Sequence, residues 1–299
     1  MNRLIQRSRQ AVVRALAHDL INTAKAAAYS SMLMLFPALL VITTLVAQVQ
    51  EGGTMLGELR SVFEQFLPVD TLDLLQSYVL TRRVYSTQLL LSATCLSIFA
   101  GLGVMLSLME GFRRAYGLPM EEWGFWSRRI RAVLLLPIAM VPLSIATIVI
   151  VFGRQIEVWM VANAGHDLRH IVLIFWRMVR WSIALVTSTI VLMALYHFGT
   201  KRKEHWLWVT PGAIAGTLIW FPATLAFGFY VTRIANYSRF YGSFGAGIAT
   251  LVWLYLTSFS VLLGAELNGI LYTERQGKLA AKDALADTNR ETDQEAVAD

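Results

Sequence analysis

Apolar residues gather in six long runs along the chain, and charged residues are nearly confined to the segments between these runs. Runs of about 20 apolar residues match the length of helix that crosses the hydrocarbon core of a bilayer. The pattern therefore predicts an all-α, polytopic membrane protein with six membrane-spanning helices. Their approximate boundaries are 26–49, 86–109, 132–152, 179–198, 208–231 and 246–271.

Composition agrees with a membrane protein. Of 299 residues, 56% are hydrophobic and only 15% are charged, whereas a soluble domain carries about 25% charged residues. The single cysteine, Cys95, lies inside an apolar run, so neither a disulfide framework nor a cysteine metal site is predicted. We expect a basic N-terminal tail over 1–25, a six-span membrane domain over 26–272, and a charged, largely disordered tail over 273–299.

Basic residues between the runs predict the orientation. Most of the 26 lysines and arginines lie in the two tails and in the segments 110–131 and 199–207, all of which share one side if six helices span. Cytoplasmic loops carry the excess of lysine and arginine. Both termini are therefore predicted on the cytoplasmic side of a bacterial inner membrane.

Two segments on the predicted outer side have apolar residues at helical spacing but are too polar to span. They cover 54–81 and 153–178, the second with Trp159 and Trp176. Each predicts an amphipathic helix. A packed cap over the outer ends of the spans is the preferred interpretation, and a lid over an outward-facing cavity is the alternative.

Three prolines, Pro37, Pro142 and Pro222, fall near the middle of the first, third and fifth spans. A proline inside a helix removes one backbone hydrogen bond and bends the helix. The spacing predicts three helical hairpins, each beginning with a bent helix, around a shared interior. Both packing kinks and broken helices around a midplane site, as in transporters, fit this pattern.

Glycines predict close approach of the last two spans. Gly212 and Gly216 lie four residues apart at the start of the fifth span, and Gly264 lies in the sixth. Small residues at this spacing allow membrane helices to pack closely. Gly242 and Gly245 predict a tight turn into the sixth span.

Glu266 and Asn268 are the polar residues that stand out in the sixth span. Two residues apart, they point about 200° from each other on an ideal helix, so protein is predicted on both sides of it. A carboxylate that faces lipid is costly. A structural ion pair or interface contact, with Arg113, Arg114 or another inner-loop arginine in reach, is the preferred interpretation, and a role in binding or gating is the alternative.

The sequence offers little that supports catalysis. His166 and His170 have the spacing of two zinc ligands on a helix, but no third ligand is evident. Walker, nucleophile-elbow and dinucleotide-binding motifs are absent from the sequence. Because the positive-inside rule explains the basic loops, no nucleic-acid partner is predicted. We predict no catalytic residue, metal site or cofactor.

Three strings, "AAAYSSMLMLFPALLVI", "TPGAIAGTLIW" and "NYSRFYGSFGAGIATLVWLYLTSFSVLLGAELNG", resemble the YihY/BrkB family of bacterial inner-membrane proteins over roughly 20–275. The resemblance implies six spans and no known substrate. It also implies that the family's older label, ribonuclease BN, is a misassignment. At "LMEGFRRAYGL" the chain departs from the family, whose members commonly have an asparagine there. The residues that match the family pattern are Tyr237, Tyr241, Gly242, Gly245, Glu266 and Asn268.

These observations lead to one functional hypothesis and two alternatives. We expect the protein to translocate or bind a lipid-like or amphiphilic envelope component, with Glu266, Asn268, Tyr237 and Tyr241 as candidate substrate or gating residues. A non-transporting membrane scaffold is the alternative, and a membrane-bound hydrolase or nuclease ranks third. Membrane lipid is the expected partner, and the oligomeric state is left open.

Overall fold

The computed structural model describes residues 2–47, 87–119, 124–163, 169–201, 205–231 and 244–298. Within these ranges the chain forms seven α-helices and no strand. They are α1 (Asn2–Ala17), α2 (Leu20–Ala47), α3 (Thr87–Ala115), α4 (Phe125–Asn163), α5 (Arg169–Gly199), α6 (Trp206–Phe229) and α7 (Phe244–Ala298). The predicted all-α class is confirmed.

Five helices are long and apolar enough to cross a membrane. The qualifying segments are Leu20–Ile42, Leu90–Ala115, Leu173–Gly199, Trp206–Phe229 and Gly247–Lys282. Large apolar side chains on them are exposed, Phe99 by 75% and Leu218 by 61%, as expected for a surface that meets lipid. The predicted span 132–152 lies within the helix α4, which is not among the five. Six spans and the N-in, C-in orientation remain predictions.

The helices pair as three hairpins. The most extensive contacts join α2 to α3, α6 to α7, and α4 to α5, as the proline pattern predicts. Further contacts of α3 with α4, α5 with α6, and α7 with α2 connect the hairpins into a closed ring. We call the end of this ring at which α2, α4 and α6 begin the polar end.

Prolines lie inside the first helix of each hairpin. Pro37 is in α2, Pro142 in α4 and Pro222 in α6, and the helices continue on both sides of them. Membrane helices tolerate proline because neighbouring groups take over the freed carbonyl. Their place in the hairpins is as predicted, whereas the bend at each proline stays a prediction.

A buried cluster near the polar end holds the ring together. Phe112, Leu135, Tyr196 and Leu262 come from four helices, and each is almost completely buried. The Phe112 and Tyr196 rings meet edge to face, with centroids 5.2 Å apart. Because lipid tails are as apolar as leucine, such a core stabilises a membrane protein through close packing and not through the hydrophobic effect.

The N-terminal segment forms a helix of its own. Residues expected as a basic tail make up α1, and α2, which contains the predicted start of the first span at 26, begins at Leu20. A short turn at His18 and Asp19 joins the two helices, with Asp19 in the left-handed region at φ 56°. Aspartate is one of the residues that enter this region most readily.

The C-terminal segment continues the last helix. Within 273–299, where a helical start and a disordered end were expected, α7 extends to Ala298. Alanine, glutamate, lysine and glutamine are strong helix formers, and the segment contains no proline and only one glycine, Gly277. Helix propensity therefore outweighs its low hydrophobicity.

The predicted amphipathic helices of the outer loops have different outcomes. The segment 54–81 lies outside the described residues. A separate helix over 153–178 is wrong, because α4 continues to Asn163 and α5 begins at Arg169. Gly153 does not end α4, since one glycine inside a helix costs only about 1 kcal/mol. Whether a cap or a lid covers the outer ends stays open.

Candidate functional site

Glu266 is the most unusual side chain at the polar end. Its side chain is 0% exposed, and Oε1 lies 2.6 Å from Nδ1 of His18. Its other oxygen, Oε2, is buried and has no hydrogen-bond partner among the described residues. A buried carboxylate oxygen without a partner is costly, so the pair leaves one acceptor of Glu266 available.

His18 is positioned by three helices. Its main-chain N–H donates to Arg14 O at 2.8 Å, which closes the end of α1. Its carbonyl accepts from Arg114 Nη1 at 3.2 Å on α3, and its ring reaches Glu266 on α7. The ring is 28% exposed, so it connects the buried carboxylate with the surface.

The predicted partner of Glu266 is therefore wrong. We expected Arg113, Arg114 or another inner-loop arginine, but the first two bind Glu110 on their own helix, and the α1–α2 turn supplies His18 instead. An arginine one turn from a carboxylate on the same helix pairs with it at little entropic cost.

Glu110 is the centre of an arginine cluster. Its carboxylate accepts from Arg113 Nη2 at 2.6 Å, from Arg114 Nε at 3.1 Å and from Arg128 Nη2 at 3.1 Å. Three guanidinium groups around one carboxylate leave an excess of positive charge. Because Arg128 belongs to α4, the cluster joins the end of α3 to the start of α4.

Arg113 also terminates α3. Its Nη1 donates to Leu118 O at 2.7 Å, while Leu118 N–H donates back to Arg113 O at 2.9 Å. Gly117, at φ +64°, donates to Arg114 O at 3.0 Å, which completes a Schellman motif. The turn thereby holds the arginine cluster in place. A cavity of about 30 Å³, roughly the space of one water molecule, lies against it.

Asn268 joins α7 to α6. Its Oδ1 accepts from Gly212 N–H at 2.8 Å, and its Nδ2 donates to Val209 O at 2.9 Å. Asn268 is buried and faces α6, whereas Glu266 faces the α1–α2 turn. The prediction that protein lies on both sides of the helix is confirmed. Asn268 was predicted as a candidate gating residue, and both hydrogen bonds of its side chain are made to main-chain atoms of α6.

A glycine crossing beside Asn268 brings α6 and α7 together. A Cβ atom at Gly212 would overlap the carbonyl of Gly264, and one at Gly264 would overlap the Tyr196 hydroxyl. At Gly216 it would lie 3.1 Å from the same hydroxyl. That hydroxyl donates to Val261 O at 2.6 Å. These short distances agree with the close-packing role of the three glycines, which stays a prediction.

The remaining candidates lie elsewhere. Gly245 is buried in the first turn of α7. Tyr237, Tyr241 and Gly242 are outside the described residues, as is His166, whereas His170 lies in α5. Within the described ranges, no three histidine, cysteine, aspartate or glutamate residues are close enough to share a metal ion.

Sequence reasoning missed three contributors to the site. They are His18, Arg128 and the hydroxyl of Tyr196. A signal existed for His18, because apolar residues of the N-terminal segment recur at helical spacing and predict a helix that ends beside the first span. Arg128 and Tyr196 act across helices, and a single sequence carries no information about such pairs.

Comparisons with known proteins cover nearly the whole chain. A family described as "Virulence factor BrkB" matches residues 11–289, which include every contact described above. The "Putative ribonuclease-like protein YfkH" of Bacillus subtilis is 28% identical, over 83% of this chain and 89% of that protein. A UPF0761 membrane protein of Aromatoleum aromaticum is 24% identical, over 82% of this chain and 58% of its own length. No solved structure matches.

Proposed function

Since this chain belongs to the BrkB family of membrane proteins, we propose that it binds a lipid-like or otherwise amphiphilic envelope component and moves it across the inner membrane. The movement is facilitated or ion-coupled, because the sequence contains no nucleotide-binding motif that could supply energy.

The observation that carries the proposal is the half-satisfied carboxylate of Glu266. An ionisable residue inside a membrane segment is costly, and such residues commonly mark substrate or ion pathways. Oε1 is held by His18, while the buried Oε2 has no partner among the described residues. This oxygen can take up a proton or a small cation, and the partly exposed ring of His18 offers a route to it.

Binding of an ion at Glu266 would act on helices that can move relative to each other. Arg14 on α1 is close enough to influence the carboxylate electrostatically, and Arg114 on α3 binds the carbonyl of His18. Neutralising Glu266 weakens the attraction between α7 and the α1–α2 turn. The hairpin of α6 and α7 then gains freedom relative to the hairpin of α2 and α3, which shifts the population between conformations.

A transport assay in vesicles tests the proposal. The full-length protein is reconstituted into vesicles that contain fluorescent lipids with anionic or zwitterionic headgroups, and their movement between leaflets is followed by quenching from outside. We expect accelerated movement with wild type and at least a tenfold loss in Glu266→Gln. Glu274→Gln is the matched control, because Glu274 lies on the same helix but pairs with Arg7.

A non-transporting scaffold is the second candidate. The glycine crossing and the hydrogen bond from Gly212 N–H to Asn268 favour it, because they hold α6 against α7 at the polar end. A scaffold moves no lipid in the vesicle assay, whichever headgroup is used, and both glutamate variants then behave as wild type. The word "ribonuclease-like" in the name of YfkH is not carried over to this chain.

A further inference from the structure

A groove of about 660 Å³ opens between α1 and α7 at the polar end. Arg9, Val13 and Arg14 line it from α1, and Ile270 and Glu274 line it from α7. It does not include Glu266, so it is separate from the candidate functional site.

Two contacts between charged residues hold the walls of this groove. His18 meets Glu266 at one end, and Arg7 Nη2 meets Glu274 Oε2 at 2.7 Å at the other. The order of these pairs makes α1 antiparallel to the adjoining part of α7. Because both ends are fixed, the space between the two helices is a built feature and not a gap between loose segments.

Beside the groove, α1 carries a face ordered like an amphiphile, of which Arg9 and Val13 line the groove itself. Arg9, Val12, Val13 and Leu16 follow the spacing i, i+3, i+4, i+7 and so share one helix face. Val12, Val13 and Leu16 are each more than half exposed. Leu16 is next to the start of the apolar segment Leu20–Ile42, and Arg9 lies two turns farther from it. The apolar part of the face is therefore nearest to the span and its cation is farthest away.

The groove carries positive charge from Arg9 and from Arg14, of which Arg14 is also near the carboxylate of Glu266. Neither Arg9 nor Arg14 forms a hydrogen bond or a short ion pair through its guanidinium group within the described part of the chain. The carboxylate of Glu274, the acidic group that lines the groove, is already bound by Arg7. An anion is thus the complementary ligand, and the adjoining apolar face calls for an acyl chain on the same molecule.

We propose that this groove binds an anionic phospholipid of the leaflet at the polar end, with its phosphate between Arg9 and Arg14. Its acyl chain lies along Val12, Val13 and Leu16. The lipid connects α1 to α7 and thereby stabilises the turn that carries His18. This inference goes beyond the proposed transport activity and does not depend on it.

Lipid titration by native mass spectrometry of the full-length protein tests this inference. Phosphatidylglycerol and phosphatidylcholine with identical acyl chains are added to wild type, Arg9→Gln and Arg9→Gln/Arg14→Gln. One basic residue near an anionic lipid surface contributes about fivefold in affinity. We expect the dissociation constant for phosphatidylglycerol to rise about fivefold in the single variant and about 25-fold in the double variant, with phosphatidylcholine unaffected.

The charge-matched control is Arg129→Gln/Lys278→Gln, which removes two cations outside the groove, the half-buried Arg129 over the Phe125 ring and the exposed Lys278. It is expected to bind phosphatidylglycerol within twofold of wild type. Equal weakening in both double variants would overturn the inference, because net charge alone would then explain binding. Wild type without a preference for phosphatidylglycerol would overturn it as well.

A further comparison distinguishes binding of phosphatidylglycerol from binding of other anions. Inorganic phosphate at millimolar concentration is expected not to displace phosphatidylglycerol; displacement would show a free-anion site instead. The lipid titration changes Arg9 and Arg14, whereas the transport assay changes Glu266, so the two tests alter different residues. A failure of the transport prediction would therefore leave this inference standing, and the reverse also holds. Circular dichroism checks that each variant keeps its helix content.

Discussion

Substitution of Asn268 by leucine tests the joint between α6 and α7. The change keeps the size of the side chain but removes its hydrogen bonds to Gly212 N–H and Val209 O. Because Asn268 is buried, water cannot replace these bonds. We expect the folded protein to lose stability without losing its membrane insertion.

The magnitude follows from the two bonds. A side-chain hydrogen bond between membrane helices contributes about 0.6 kcal/mol on average and up to about 1.7 kcal/mol. Leaving a buried donor such as the Gly212 N–H without its acceptor costs about 1–3 kcal/mol more. We therefore expect the free energy of unfolding to fall by about 2–4 kcal/mol.

Unfolding in mixed micelles by titration with sodium dodecyl sulfate, followed by tryptophan fluorescence, measures this loss. Asn22→Ala is the matched control, because Asn22 is exposed and its amide bonds only the nearby side chains of Asp19 and Lys25. Its expected effect is below about 0.5 kcal/mol. If Asn268→Leu unfolds at the same detergent concentration as this control, the hydrogen bonds of Asn268 do not stabilise the contact between α6 and α7, and our reasoning is wrong.

Three more substitutions and one control have expected outcomes in the same unfolding assay. Gly264→Ala is expected to destabilise the protein by about 1–3 kcal/mol because its Cβ overlaps neighbouring atoms. The control Gly228→Ala, with open space around it, is expected to change stability by less than about 1 kcal/mol. Equal effects of the two substitutions would contradict the close crossing of α6 and α7. Tyr196→Phe loses the bond to Val261 O and about 1 kcal/mol, and an unchanged stability would mean that this bond contributes nothing. Glu110→Gln leaves three guanidinium groups without their carboxylate. We expect the free energy of unfolding to fall by about 1–2 kcal/mol, reduced by partial exposure, and amide hydrogen exchange at the end of α3 to become faster. Unchanged exchange there would contradict a stabilising role of the arginine cluster.

The sequence predicts well the features that depend on one helix or on neighbours in the chain. Prolines in every second span predict the three hairpins, because helices that follow each other in the chain pack together. Gly212 and Gly264 predict a close crossing because small residues are needed wherever two backbones approach. The spacing of Glu266 and Asn268 predicts two buried faces because helix geometry alone sets the angle between them.

Features that depend on long-range pairing could not be predicted. Glu266 pairs with His18, 248 positions away, because the α1–α2 turn packs between α3 and α7. The nearby arginines looked like better partners, but Glu110 binds them first. Helix formation at the end of the C-terminal segment was not predicted for another reason: low hydrophobicity suggested disorder, although its residues are strong helix formers.

The response of lipid movement to an imposed pH gradient tests the central claim, that the Glu266–His18 pair is where an ion acts. The same reconstituted vesicles are used, with wild type, Glu266→Gln and the control Glu274→Gln. Our account predicts that the gradient changes the rate of lipid movement for wild type and for Glu274→Gln, while Glu266→Gln is slow and insensitive to it. Equal rates and equal responses for all three proteins would contradict the account and favour a scaffold.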